Sequence, residues 1–200
     1  MKISAIESET KRQKILQTGI YLIRQNGPDG IGIQEIADGA KIPKGSFYNY
    51  FASKDQFLLE ALEDYTQNAI RWNEQTLEKG GRGLSALLYL YEQKVKLEKE
   101  FIQDGLSCLI NVLSQHSSSK KKELRNKLSL SLNAIANGIL NSLQLSQNEG
   151  ESKRILSHIQ TLESSWRGAM LLARATGDES YLENFLSMYR NFTAGLKIEL

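Results

Sequence analysis

At 200 residues and 40% hydrophobic content, the chain is long enough to bury a core without disulfides or metal, and its single cysteine, Cys108, excludes an internal disulfide framework and fits a reducing cytoplasm. Met1 to Thr10 carry Lys2, Glu7 and Glu9 with no continuous apolar stretch, so no secretory leader is expected, and no later run approaches the roughly 18 apolar residues of a membrane span. The net charge of +2 is small but uneven: residues 1–54 hold eight Lys or Arg against five Asp or Glu, and the remainder 17 against 18, a bias that suits phosphate contact at the N-terminal end.

Helical periodicity dominates, and both prolines, Pro28 and Pro43, fall in the first quarter. Ile15, Leu16, Gly19, Leu22 and Ile23 predict a first helix of about four turns, closed by the Asn26-Gly27-Pro28-Asp29-Gly30 cluster. Ile33, Ile36, Ala37 and Ala40 predict a short second helix with Gly39 at a tight turn, and Pro43 suits the first turn of a third. Ser53 is a good N-cap for a long helix marked by Leu58, Leu62, Tyr65, Ala69 and Trp72, which Gly80-Gly81-Arg82-Gly83 breaks. Leu84, Leu87, Leu88, Tyr91 and Val95 mark the next, and Leu106, Leu109, Ile110 and Leu113 the one after. Ser117 to Lys122 reads as a solvated connection, with a second nucleic-acid patch as the other reading. Three further helices follow, marked by Leu124 to Leu143, Ile155 to Ala173, and Leu182 to Phe192, the last two separated by Gly177-Asp178.

An all-α fold of about nine helices is therefore expected, with residues 1–54 as a three-helix helix-turn-helix domain and residues 55–200 as a second, helical domain. Gly32 to Lys54 carries the functional signal. In a helix-turn-helix the second helix enters the major groove, so its inner side must be apolar and its outer side polar, small and able to donate hydrogen bonds. Phe47 and Phe51, four apart, share one face, and Lys44, Ser46, Tyr48, Asn49 and Tyr50 occupy the rest. Lys44 can reach a guanine edge or a phosphate, Ser46 and Asn49 can bond base edges, and Tyr48 and Tyr50 can donate to phosphates. Gly45 permits close approach of the backbone, and Lys54 is placed as a phosphate clamp. Read without any relative, the same residues also fit the surface of a plain helical hairpin.

Ile15-Leu16, Leu22-Ile23, Gly27, Ile36-Ala37, Ala40, Ile42, the run from Lys44 to Phe51, and Ser53-Lys54-Asp55 resemble the DNA-binding domain of the TetR family of bacterial regulators over roughly residues 10–60. The resemblance implies a repressor that binds a palindromic double-stranded DNA operator as a homodimer and is released by a small-molecule or reactive effector. It implies base contacts from Lys44, Gly45, Ser46 and Asn49, phosphate contacts from Tyr48, Tyr50 and Lys54, and backbone contacts from Thr10 and Lys11. Gly19 stands where the family has alanine, Gly32 near the usual Thr or Ser cap, and Tyr50 in place of a histidine. Ser107-Cys108-Leu109 and the run from Gly168 to Arg174 resemble a branch of the family responsive to electrophiles or oxidants, with Ser107 in place of its glycine.

For the remainder, the last two helices are the dimer candidates, through Trp166, Ala169, Ala173, Phe185, Tyr189 and Phe192, although the same faces could pack within one subunit. Tyr65, Trp72, Phe101 and Trp166 either line an effector cavity or belong to the core. Cys108 is either a sensor near a helix start or inert packing. Against an enzyme stand the absence of a Gly-x-Ser-x-Gly elbow, a His-Glu-x-x-His pair and a phosphate-cradling glycine loop, with only His116 and His158 present. No cofactor and no metal site is expected. A scaffold that binds a protein partner through Lys94 to Glu100 is a further alternative.

Overall fold

The computed structural model describes residues 5–143 and 148–195, less the side chains of residues 5 and 192–195. Among them are nine α-helices and no strand: α1 Ala5–Asn26, α2 Ile33–Ala40, α3 Lys44–Phe47, α4 Lys54–Lys79, α5 Gly83–Gln103, α6 Leu109–His116, α7 Lys122–Ser142, α8 Glu149–Thr176 and α9 Ser180–Gly195. No helix among the described residues is long and apolar enough to cross a membrane. The chain forms two compact units, Met1–Tyr65 with Gly105–Ser131, and Thr66–Asp104 with Leu132–Leu200. Both α4 and α7 contribute their first part to one unit and their second part to the other.

In the first unit α1 is longer than expected, 22 residues or about six turns, because its polar start is made of good helix formers and Thr10 Oγ1 donates back to the Ile6 carbonyl at 2.9 Å. Ile15, Leu16, Ile20 and Ile23 form its buried stripe, facing Ile36, Ala37 and Ala40 of α2. The turn after α2 differs from expectation. Lys41, not Gly39, takes the left-handed conformation, with φ of 58°, and its N–H caps the Asp38 carbonyl. Gly39 lies inside α2, where a Cβ would come 2.8 Å from Thr18 Cγ2, so the glycine serves the close approach of α1 and α2.

Gly19 has a comparable role. A Cβ there would lie 2.3 Å from Phe57 Cζ and 3.3 Å from Ile36 Cγ2, so the space a family alanine would take is filled by the Phe57 ring. Gly32 offers no side-chain cap to α2, but its N–H donates to Glu35 Oε2 at 2.9 Å, half of a capping box. Ser53 caps α4 as expected, accepting from the Gln56 N–H at 3.1 Å.

The second unit is built on α5, α8 and α9 with the later parts of α4 and α7. Tyr91 meets Phe185 and Tyr189 edge-on, with ring centroids 5.2 and 5.7 Å apart, and Trp166 packs on Phe185 at 5.5 Å. Trp166, Ala169, Ala173, Phe185 and Tyr189 are all buried in a single subunit, so they build that subunit's own core and not the exposed face anticipated for them. The Phe192 side chain lies outside the described residues. Among the described residues, the exposed large apolar side chains of α8 and α9 are Leu171, Leu172 and Met188, at 42%, 45% and 50% exposure.

An ionic cluster lies under those aromatics. Glu163, buried, sits 2.5 Å from Lys94 Nζ and 3.3 Å from Arg167 Nη2, and accepts from Tyr91 Oη at 3.0 Å. Burial opposes its charge, but Lys94 and Arg167, with the hydrogen bonds from Lys94 and Tyr91, outweigh that and hold its carboxyl below the usual value. Burial, and then the Glu163 charge, push the Tyr91 phenol well above its usual value.

Candidate nucleic-acid interface

The recognition element is short and is held from below by three aromatic rings. Pro43, with φ −60° and ψ 141°, precedes α3, and after Phe47 the helix gives way to a turn in which the Tyr50 and Phe51 N–H groups both donate to the Phe47 carbonyl at 3.0 Å. Regular helix therefore ends four residues before Phe51. The cause lies in the cluster beneath, where Phe47, Phe51 and Phe57 stack at centroid distances of 5.3, 5.6 and 5.0 Å, and drawing both Phe47 and Phe51 onto Phe57 tightens the turn. Phe47 and Phe51 are buried, as their spacing predicts.

Their burial leaves the opposite side to solvent. Lys44, Gly45, Tyr48 and Asn49 are exposed, Tyr48 at 53%, and Ser46 and Tyr50 are half-buried. Nothing lies within 4 Å of the place where a Gly45 Cβ would stand, so backbone and open space adjoin there. These six residues thus surround buried Phe47 on one short segment and all retain solvent access. Lys54 is half-buried, and its Nζ donates to the Pro28 carbonyl at 2.5 Å, which ties the start of α4 to the turn between α1 and α2. Thr10 and Lys11 are exposed on α1.

Two supports of this face escaped the sequence reading. Phe57 completes the aromatic cluster but sits one turn into a different helix. Arg12 lies with its guanidinium 5.1 Å from the Phe51 ring centroid while pairing with Glu60, an arrangement with no signal in local sequence.

The residues anticipated for an effector are divided between the two units. Tyr65 and Cys108 belong to the first unit, and Trp72, Phe101 and Trp166 to the second. Cys108 is buried immediately before α6, whereas Tyr65, Trp72 and Phe101 are half-buried. Arg24 stacks over Tyr65 at 5.5 Å. Two grooves of about 310 and 420 Å³ open along α4 and α7, and none of the five residues lines either.

Comparisons with known proteins agree with this geometry. The family described as "Bacterial regulatory proteins, tetR family" matches residues 15–61, the stretch that contains α2, α3 and the aromatic cluster. The HTH-type transcriptional repressor NemR of Escherichia coli strain K12 is 29% identical over 193 residues, 92% of this chain and 94% of NemR. The HTH-type transcriptional repressor DhaR of Mycobacterium sp. strain GP1 is 27% identical over 180 residues, 88% of this chain and 89% of DhaR. The crystal structure of the reduced form of E. coli NemR superposes with a TM-score of 0.75 at 27% identity, covering 91% of this chain and 97% of that one. A TetR transcriptional regulator from Legionella pneumophila shares the fold at a TM-score of 0.74 and 19% identity, covering 96% and 99% of the two chains. TetR-family regulators bind DNA operators as dimers and are transcription factors, not enzymes. With the helix-turn-helix, its aromatic support and the helical remainder all in agreement, residues 15–61 form a DNA-binding domain of the TetR family, and the chain as a whole is similar to TetR-family transcriptional regulators.

Proposed function

We propose that this regulator is a repressor that binds a palindromic operator as a homodimer and leaves it when an effector acts on the helical region beyond the DNA-binding domain. One observation carries the reading: Phe47 and Phe51 turned into the aromatic cluster, with Lys44, Gly45, Tyr48 and Asn49 left on the open side. Lys44, Gly45, Ser46 and Asn49 read bases, while Tyr48, Tyr50, Lys54, Thr10 and Lys11 hold phosphates. The names of NemR and DhaR as repressors support the sign of regulation. The pair of recognition elements must sit about 34–36 Å apart to read successive major grooves, and Leu171, Leu172 and Met188 on α8 and α9 are the apolar surface available to set that pairing. Effector action is a population shift toward a dimer whose two elements no longer match two half-sites.

Cys108 is proposed as a sensing residue. The reduced form named for the NemR structure supports the redox reading, as does what surrounds the thiol. The neighbouring Ser107 N–H donates to the Arg24 carbonyl at 3.0 Å and Arg24 Nε donates to the Ser107 carbonyl at 2.7 Å, so a change at Cys108 is one peptide away from α1.

Fluorescence anisotropy with DNA from upstream of the chain's own reading frame tests the function. A good base contact contributes about 1–3 kcal/mol, so Lys44→Ala should weaken the operator complex by a factor of about 5 to 150 while weakening a shuffled duplex less. Tyr48→Ala, a phosphate contact, should weaken both alike. Equal affinity of the unaltered protein for upstream and shuffled DNA would overturn the reading.

A further inference from the structure

Residues 1–65 hold eight Lys or Arg against nine Asp or Glu, and residues 105–131 hold five against one. These two segments form one compact unit, the one that carries the helix-turn-helix. Its positive balance therefore comes from the joint between α6 and α7, where Lys120, Lys121, Lys122 and Arg125 fall within six residues.

The structure sets this run against the start of α4. Lys120, Lys121 and Lys122 line one wall of the 310 Å³ groove, and Asp55, Leu58 and Leu59 of α4 line the other. α4 begins three residues after Phe51, so this wall is its first two turns, directly following the recognition element. A second tie fixes the joint. His116 Nδ1 stands 2.9 Å from Asp29 Oδ2 in the turn between α1 and α2, and Lys121 Nζ bonds His116 Nε2. Lys120, Lys122 and Arg125 are exposed, and among the described residues no hydrogen bond or ion pair engages their side chains. Asp55 and Glu123 are the carboxylates that face the groove, too few to neutralise it.

We propose that Lys120, Lys122 and Arg125 form a second phosphate-binding patch, which holds the duplex backbone beside the recognition element and adds affinity without reading sequence. The patch rests on the operator-binding reading given above. Its chemistry is that of phosphate contact: three cationic side chains at the start of a long helix, whose dipole adds to the field, with the exposed hydroxyls of Ser118 and Ser119 as further donors. Lys121 ties the joint to that turn through the His116 ring, so it is kept out of the substituted set. The patch is pinned to the turn that Lys54 also grips, so it is positioned with the recognition face and not on a free loop.

The test uses the full-length dimer, its upstream duplex and a shuffled duplex of equal length, titrated across salt from about 50 to 200 mM. The variant Lys120→Ala/Lys122→Ala/Arg125→Ala should flatten the slope of log affinity against log salt by about 2 to 3, since each lost phosphate contact removes about 0.9. Operator and shuffled duplex should weaken by the same factor, about tenfold or more at the lower salt, with their ratio kept. Lys153→Ala/Arg154→Ala, exposed cations of the other unit, should leave the slope unchanged. An unchanged slope in the triple variant overturns the patch while leaving operator binding intact, and equal flattening by both variants also overturns it, in favour of a net-charge effect. If the unaltered protein does not discriminate between the two duplexes, the operator reading itself fails. Circular dichroism verifies the fold of each variant.

Discussion

Replacing Glu163 with glutamine removes one negative charge and almost no volume, so it isolates the electrostatics of the second unit. The side chain is buried between Lys94 on α5 and Arg167 on its own helix, whose side chains are only 10% and 17% exposed. Breaking a buried pair by neutralising one partner costs about 3–5 kcal/mol, because the remaining cations stay desolvated without compensation. The residual exposure of Lys94 and Arg167, and the hydrogen bond Tyr91 can still offer, place Glu163→Gln at the lower end, about 3 kcal/mol. For a chain of this size that is a fall in Tm of about 6–12 °C. The pH dependence has a definite sign. A carboxylate held below its ordinary value contributes stability that is complete above the unfolded value of 4.5 and disappears as pH falls through the lower folded value. The gap between the two proteins should therefore be full at pH 7 and close progressively below the usual carboxylate range. Differential scanning fluorimetry across that acid range reads it. A shift below about 1 kcal/mol at neutral pH, or a gap that persists unchanged in acid, refutes the assignment of Glu163 as the charge that holds this cluster.

Gly19→Ala should destabilise by about 1–2 kcal/mol in thermal unfolding despite alanine's better helix propensity, because the added methyl meets the Phe57 ring at 2.3 Å. Operator affinity should fall with it, since the same ring supports Phe47; a stabilised variant would contradict the packing. Leu171→Glu with Leu172→Glu should convert the dimer to monomer in sedimentation experiments and lose cooperative operator binding, and a dimer that persists would remove α8 from the interface. Cys108→Ser should keep operator affinity but lose release by N-ethylmaleimide, and undiminished release would leave Cys108 as packing.

The fold was legible wherever local chemistry decided it. The Asn26 to Gly30 cluster, the Gly80 to Gly83 break and Ser53 each ended or began a helix at the expected residue, because caps and positive-φ glycines act over four or five residues. Glycine was misread where its reason was tertiary. Gly39 looked like a turn residue and proved to be a contact surface for Thr18, and Gly19, which stands where the family has alanine, proved to be room for Phe57. The aromatic faces of α8 and α9 were misjudged for a related reason. Periodicity identifies an apolar stripe but not its partner, and Trp166, Phe185 and Tyr189 found theirs on α5 and on each other.

Which side chains of the segment from Lys44 to Phe51 turn inward was readable because the segment is contiguous: the four-residue spacing of Phe47 and Phe51 sorts them from exposed Lys44, Gly45, Tyr48 and Asn49. The charge around it was not. A boundary at residue 54 makes the N-terminal segment cationic, yet the next eleven residues add Asp55, Glu60, Glu63 and Asp64 and cancel the excess. Three of these carboxylates are occupied within the unit, Glu60 by Arg12, Asp64 by Gln13 and Gln17, and Glu63 by Lys127, so they fasten α4 to α1 and α7 and cannot be dispensed with. A DNA-binding unit whose own scaffold requires those acids must draw its phosphate-attracting field from elsewhere. The segment that supplies it, Lys120 to Arg125, lies more than 65 residues further along the chain and is returned to the start of α4 only by tertiary structure. Linear charge profiles of this chain therefore understate the field at its DNA-binding end, and the salt dependence of operator binding should exceed what residues 1–54 alone would give.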